Sequence, residues 1–247
     1  MAKTIKLTED VLAVLSTAEL EGNVLKLTSG QLDRKMYKAT NDVLEAMGGK
    51  WNRKAKGHTF DTDPTDKLEE VLLNGEVTNE RKGNGYFPTP PKLVARLIEL
   101  AEIKPGMTVL EPSAGQGHIA DELVKIECTL YLVEILPENR TVLESKGYRL
   151  AGDDFLKFTG AFDRIVMNPP FEKQADIDHV LHAYSLLKQG GRLVSVMGAG
   201  VAFRENRKTK DFRELVEANG WSERNPEGSF KESGTMVNTI TVVLDKR

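Results

Sequence analysis

Asp163-Arg-Ile-Val-Met-Asn-Pro-Pro-Phe171 reads as a short buried strand running into a rigid loop. The β-branched Ile165 and Val166 favour an extended chain, and the prolines that follow leave no room for a helix. Pro169 and Pro170 fix φ and carry no N–H, so the loop is stiff and its carbonyls are free to accept from another group. Phe171 adds a flat ring. An amide, an unpaired carbonyl and an aromatic face thus stand together where open α/β sheets bind ligands. They suit a planar ligand with an exocyclic amino group. Taken by itself, the tetrapeptide is equally well a structural Asn-Pro-Pro turn.

Upstream, Val109-Leu-Glu-Pro-Ser-Ala-Gly-Gln-Gly-His-Ile119 is an apolar strand, an acidic residue and a Gly-x-Gly turn opening a helix. Gly115 and Gly117 let a ligand approach the backbone where a Cβ would obstruct it. Nucleotide dehydrogenases use similar glycines, and Ala120 stands where their third glycine would be. Glu111 separates the readings, because a carboxylate there repels a pyrophosphate and suits a cation. Glu134 closes Leu130-Tyr-Leu-Val-Glu134, about twenty residues after the glycines, where an acid can accept from both ribose hydroxyls. An exposed strand-end acid is the plainer reading of it.

Together these residues resemble the class I S-adenosylmethionine-dependent methyltransferases. More narrowly, they are similar to the amino-methyltransferases of adenine N6, whose hallmark is (Asn/Asp)-Pro-Pro-(aromatic). The resemblance covers roughly residues 86–244 and leaves the first eighty or so unexplained. It implies S-adenosylmethionine as cofactor, with Glu111, Pro112, Ser113, Ala114, Gly115, Gly117, Glu134, Ile135 and Asn168 around it. The family's Asp-Phe-Leu pattern points to Asp154 as acceptor for the cofactor's adenine amino group, Phe155 as the ring beside it and Asp153 as the alternative acceptor. Thr89, in Tyr86-Phe-Pro-Thr-Pro90, matches a segment that closes over the methionine end. The catalytic set would be Asn168, Pro169, Pro170 and Phe171, with Phe171 stacked on the target base. An aromatic amine is a weak nucleophile until hydrogen bonds from its N–H groups to Asn168 Oδ1 and the Pro169 carbonyl localise its lone pair; placement and fixed dipoles then supply much of the rate. A base inside a duplex would have to be flipped out.

Composition narrows the setting. A net charge of −3 with only 29% charged residues is ordinary for a globular protein and argues against one that coats nucleic acid. A local basic patch remains compatible with DNA as partner, or RNA as the alternative. Cys128 is the sole cysteine, which excludes an internal disulfide and a thiolate zinc cluster. His179 and His182 share a helix without a matching ligand set, so no metal is expected. Neither a membrane-spanning apolar run nor a secretion signal is present, and a cytoplasmic location is expected.

The expected architecture is α/β: a Rossmann-like, doubly wound, mostly parallel sheet over residues 83–247, with a small N-terminal α+β accessory domain over 1–82. Strands are expected at 107–111, 128–134, a short one ending at Phe155, 164–167, 192–197 and 237–244, the last antiparallel by resemblance. Helices should cover 92–102, 119–125, 137–146, 176–187 and 211–218. The accessory domain should hold a helix at 8–19 capped by Thr8, a strand at 24–27, a Ser29-capped helix, a hairpin between Trp51 and Phe60, and a helix at 66–73. Polar, glycine-rich residues 79–85 mark the boundary. Arg53, Lys54 and Lys56 at the hairpin tip, the basic stretch Arg204, Arg207, Lys208 and Lys210, and Lys231 in a polar loop are expected nucleic-acid contacts. Only about fifty residues follow Met197, so no large recognition domain is expected, and the target sequence should be short or relaxed. An RNA adenine-N6 or guanine-N2 enzyme, a protein glutamine methyltransferase and a nucleic-acid-binding regulator with a vestigial site are the alternatives.

Overall fold

The computed structural model describes residues 4–77 and 87–247; the expected boundary at 79–85 and Tyr86 lie outside them. The chain divides into two compact units, one of Met1–Gly85 with Gly234–Asn238, the other of Tyr86–Ser233 with Thr239–Arg247.

In the first unit, β1 (Ile5–Lys6) precedes α1 (Glu9–Ser16), whose N-terminus is capped by the Thr8 hydroxyl accepting from Val11 N–H at 3.4 Å. Strands β2 (Glu19–Glu21) and β3 (Val24–Lys26) form a hairpin. Helix α2 (Arg34–Ala46) is capped by Asp33, not Ser29: the Asp33 carboxylate accepts Met36 N–H at 2.8 Å. Strands β4 (Lys50–Asn52) and β5 (Gly57–Thr59) make the expected second hairpin, and the sheet order is β2-β3-β5-β4. Helix α3 (Thr65–Asn74) stops at Gly75, left-handed at φ 66°, and β6 (Glu76–Val77) pairs back on β1. The late segment Gly234–Asn238 joins this unit through Thr235 Oγ1 donating to the Leu72 carbonyl and Asn238 Nδ2 to that of Ser16.

The second unit opens with α4 (Pro91–Ala101), then β7 (Thr108–Glu111), the short α5 (Ala120–Leu123), β8 (Thr129–Val133), α6 (Pro137–Ser145), β9 (Leu150–Gly152) and β10 (Phe162–Met167). It continues with α7 (Ala175–Ser185), β11 (Leu187–Gly198), α8 (Arg207–Asn219), β12 (Gly220–Arg224) and β13 (Thr239–Asp245). The sheet runs β12-β13-β11-β10-β7-β8-β9, with β7 to β11 parallel to one another and β13 antiparallel to both neighbours. This is the expected doubly wound sheet. Strand β10 is central: Ile165, Val166 and Met167 are fully buried between helices on both faces. Strand order reverses between β7 and β10, and the crevice at their carboxyl ends is where such sheets bind ligands.

Two local expectations give way, and one strand is added. Phe155 lies in a 3-10 turn after β9, not in a strand. Gly190 and Gly191 sit within β11, where the register against β10 shifts, so they bulge the strand instead of preceding it. Strand β12 adds an element between α8 and β13 that no sequence pattern announces, and the backbone approach there requires glycine: a Cβ on Gly220 would collide with the Val243 carbonyl.

Candidate active site

Asn168 leaves the end of β10 with its amide oriented by two acceptors. Nδ2 donates to the Phe87 carbonyl at 3.3 Å and to Thr89 Oγ1 at 3.0 Å, while Oδ1 is buried with no partner among the described residues. Turning the amide over would set Oδ1 against the Phe87 carbonyl and strand the NH₂, so the network fixes the orientation. Pro169 is buried, and no described residue donates to its carbonyl. Phe171 is buried too, edge-on to the fully buried Phe230 with ring centroids 6.3 Å apart. The stacking on a base expected of Phe171 is therefore corrected: here its ring packs against protein.

Glu111 ends β7 only 1% exposed. The Ala120 N–H at the start of α5 donates to it, but Oε2 has no partner among the described residues. Burial first, then the neighbouring Asp121 charge, pushes the carboxyl well above its usual range. Glu134, just past β8, accepts Gly115 N–H at 2.7 Å on Oε2 and Leu136 N–H at 2.8 Å on Oε1. It thus ties the glycine turn to the end of the neighbouring strand. Ala114 is held by its N–H to the Val133 carbonyl, and Pro112 and Ser113 form the bend from strand to turn. Gly115 and Gly117 are left-handed, at φ 54° and 90°. A Cβ on Gly117 would also press on Leu143 at 3.0 Å.

Beyond β8 and β9, Ile135, Arg140, Asp153, Asp154 and Phe158 line an open pocket of about 440 Å³. Here one expectation is corrected. Phe155 faces the core, with its ring 4.9 Å from that of His182 and 5.6 Å from that of His179, so Phe158 is the ring lining the pocket. Asp154 lines the same pocket, where it caps Leu156 N–H and pairs with the exposed Lys157 at 2.7 Å, and its two oxygens keep lone pairs for a further donor.

A second clamp was not legible in the motifs. Lys146 Nζ, just after α6, donates to the Gln116 carbonyl at 2.8 Å and to Asp121 at 2.7 Å, while Tyr148 OH donates to the other Asp121 oxygen at 2.8 Å. Lys146 therefore holds the glycine turn at Gln116, one residue beyond the Gly115 that Glu134 holds.

A family model described as a methyltransferase domain matches residues 86–233. The chain belongs to that family. Among curated proteins, the chain is 33% identical over 134 residues to a protein-L-isoaspartate O-methyltransferase of Nitrosospira multiformis, covering 47% of this chain and 52% of that protein. It is 32% identical over 121 residues to modification methylase CviBIII of Paramecium bursaria Chlorella virus NC1A, covering 44% and 31%. The chain thus spans about half the length of the isoaspartate relative and less of the methylase. Among solved structures, a modification subunit of a type I restriction enzyme from Vibrio vulnificus superposes with a TM-score of 0.56 at 19% identity, over 95% of this chain and 60% of that one, and shows a shared fold.

S-adenosylmethionine is the cofactor of this methyltransferase domain, and the residues present fit it. The orphaned Glu111 Oε2 is a buried acceptor for a cationic group, and the left-handed glycine turn brings bare backbone to the same strand ends. Lys146→Met is expected to weaken S-adenosylmethionine binding by about tenfold, with Lys146→Arg restoring most of it and neither shifting the melting temperature much, because the Lys146–Asp121 pair is half exposed. Calorimetric titration reads this; unchanged affinity in Lys146→Met would remove the clamp.

Behind the tetrapeptide, Asp176 is buried at the start of α7 and accepts Gly198 N–H at 3.0 Å, fastening the end of β11. Burial raises its carboxyl from 3.8 to about 6. A folded-state value above the ordinary one means that ionisation penalises the fold. That penalty is absent below the ordinary value and complete above the raised one, about 3 kcal/mol in all. Urea midpoints at about pH 5 and pH 7.5 should therefore converge in Asp176→Asn relative to the wild-type protein. Equal pH slopes in the two proteins would contradict the assignment.

The basic stretch expected to contact nucleic acid is largely committed elsewhere. Arg204 is 4% exposed, which corrects its assignment as a surface contact. Lys208 donates to the Gln174 carbonyl and pairs with Asp178 at 2.7 Å, and Lys210 pairs with Glu205 at 2.8 Å. Arg207 remains exposed, 3.7 Å from Asp211, and Lys231 opens an exposed 3-10 turn.

Proposed function

We propose that this methyltransferase domain methylates the exocyclic N6 amine of adenine in DNA. The observation that carries the reading is the Asn168 amide, whose donors are consumed by Phe87 and Thr89 and whose Oδ1 is left as a buried, unpartnered acceptor. An amine brings N–H groups to such a site. A carboxylate brings only acceptors, and two lone-pair-bearing oxygens facing each other in a buried site repel. This polarity favours an amine over the isoaspartyl carboxylate named for the Nitrosospira relative.

Bound S-adenosylmethionine supplies an electrophilic methyl group on a sulfonium. The chain's own part is placement. Asn168 Oδ1 and the Pro169 carbonyl accept the two amine hydrogens, the nitrogen lone pair is freed from the ring, and the stiff prolines hold both acceptors without reorganisation. Glu111 binds a cationic group through Oε2, and Glu134 keeps the glycine turn in place. No nucleophilic side chain is needed, and the methylated nitrogen sheds one of its two hydrogens to water as a proton.

The test uses three oligonucleotides differing at one position: adenine, purine lacking the 6-amino group, and N6-methyladenine. Label from the methyl donor should enter the first and neither of the others at a comparable rate. Equal labelling of the purine-substituted strand would overturn N6 as the acceptor.

A further inference from the structure

We propose that the first unit carries a binding surface for single-stranded nucleic acid, formed by Trp51, Tyr37 and the cations around them on α2 and the β4–β5 hairpin. The inference rests on the nucleic-acid substrate proposed above and names its strand state.

Charge segregation comes first. Residues 26–58 hold eight Lys and Arg against three Asp and Glu, a surplus of five positive charges in a chain whose net charge is −3. Among the described residues, no ion pair is recorded for Arg34, Lys38, Arg53, Lys54 or Lys56, although cations of the second unit are repeatedly paired. Unneutralised cations within one small unit are what a phosphate chain recruits.

Two large aromatics lie among these charges and are not buried: Trp51 is 52% exposed and Tyr37 43%. A chain of contacts brings them to one side. The Trp51 ring stands edge-on to that of His58 at 5.3 Å, and His58 Nε2 is 2.9 Å from Asn41 Oδ1 on α2. Tyr37 and Lys38 precede Asn41 by one helical turn and Arg34 by two, so they share its face. Trp51 also sits on β4, an edge strand, with its face open.

The hairpin tip is built to hold its cations out. Asn52 Oδ1 accepts from Lys54 N–H at 2.9 Å and Ala55 N–H at 3.2 Å, and Lys56 is left-handed at φ 49°, a conformation that glycine or asparagine adopts at lower cost. Unpaired bases offer π-faces to exposed rings while the backbone tracks the charges; a duplex hides those faces. That combination selects a single strand over a duplex or a lipid surface.

The experiment measures fluorescence anisotropy of a labelled single-stranded oligonucleotide, the matching duplex and anionic phosphatidylserine vesicles with the full chain. The wild-type protein should prefer the single strand. Trp51→Ala should weaken that binding about tenfold. Changing Arg53, Lys54 and Lys56 together to Glu should weaken it about a hundredfold or more and flatten the salt dependence by about two logarithmic units per decade. S-adenosylmethionine affinity should be unchanged in both variants, which confirms that they fold. Unaltered affinity and salt slope in the triple variant would overturn the surface, as would preference for the duplex or the vesicles. Failure of the adenine-N6 reading is distinguishable, since it would abolish labelling at adenine and leave these binding differences intact.

Discussion

Asn168→Ala is expected to lower methyl transfer by about two to three orders of magnitude, the usual cost of removing one preorganised polar group aimed at the reacting centre. Cofactor affinity should fall far less, because Glu111, Glu134 and the glycine turn remain. Loss at saturating substrate together with near-normal cofactor binding identifies a group acting on the acceptor. Asn168→Asp should lie between the wild-type protein and the alanine variant: it keeps an acceptor but sets a carboxylate oxygen against the Phe87 carbonyl and the Thr89 hydroxyl that now hold the amide. Single-turnover transfer checks both. Activity of Asn168→Ala within tenfold of wild type would leave Oδ1 without a role.

The second large effect is expected at Glu111. With its carboxyl raised well above 4.5 by burial, first, and by Asp121, the ligand-free site is largely protonated in the range just above that ordinary value. A cationic group bound at Oε2 favours the carboxylate, so binding releases a proton and affinity rises with pH until the raised value is passed. Folding shows the opposite sign: ionising Glu111 without a ligand costs stability as pH climbs above 4.5. Glu111→Gln should bind S-adenosylmethionine about a hundredfold or more weakly at alkaline pH, since a buried charge pair is lost. It should also release no proton from this position and tolerate alkaline pH better when unliganded. Titration calorimetry in buffers of different ionisation enthalpy counts the protons. Equal proton release by the variant would contradict the assignment.

The sheet was legible because its signals are local. Ile165, Val166 and Met167 needed no distant partner to read as a buried strand, and Asn168-Pro169-Pro170 announced a loop whose acceptors could not be spent on the backbone. Glu111 and Glu134 were legible by spacing from Gly115 and Gly117. What escaped depends on contacts remote in sequence. Phe155 sits in a pattern that marks a ring near the cofactor, yet the Asp154-capped turn rotates it towards His179 and His182 and brings Phe158 to the pocket. The burial of Arg204 cannot be read from a run of cations, because charge alone does not say which side chain turns inward. Strand β12 has no apolar alternation and exists through its pairing with β13, which Gly220 permits by lacking a Cβ. Lys146, Asp121 and Tyr148 belong to no motif, and only the fold shows that they meet, with Lys146 reaching on to the Gln116 carbonyl.

Polarity at Asn168 sets an amine acceptor against the carboxylate acceptor named for the curated relative, and the two leave chemically different products. The direct measurement offers the protein labelled S-adenosylmethionine with single-stranded DNA, duplex DNA, RNA and an isoaspartyl peptide in parallel, then digests each and identifies the bond to the transferred methyl. Alkali-stable label recovered as N6-methyldeoxyadenosine is the expected result. Label recovered as an alkali-labile ester on the peptide, with none on adenine, would contradict it.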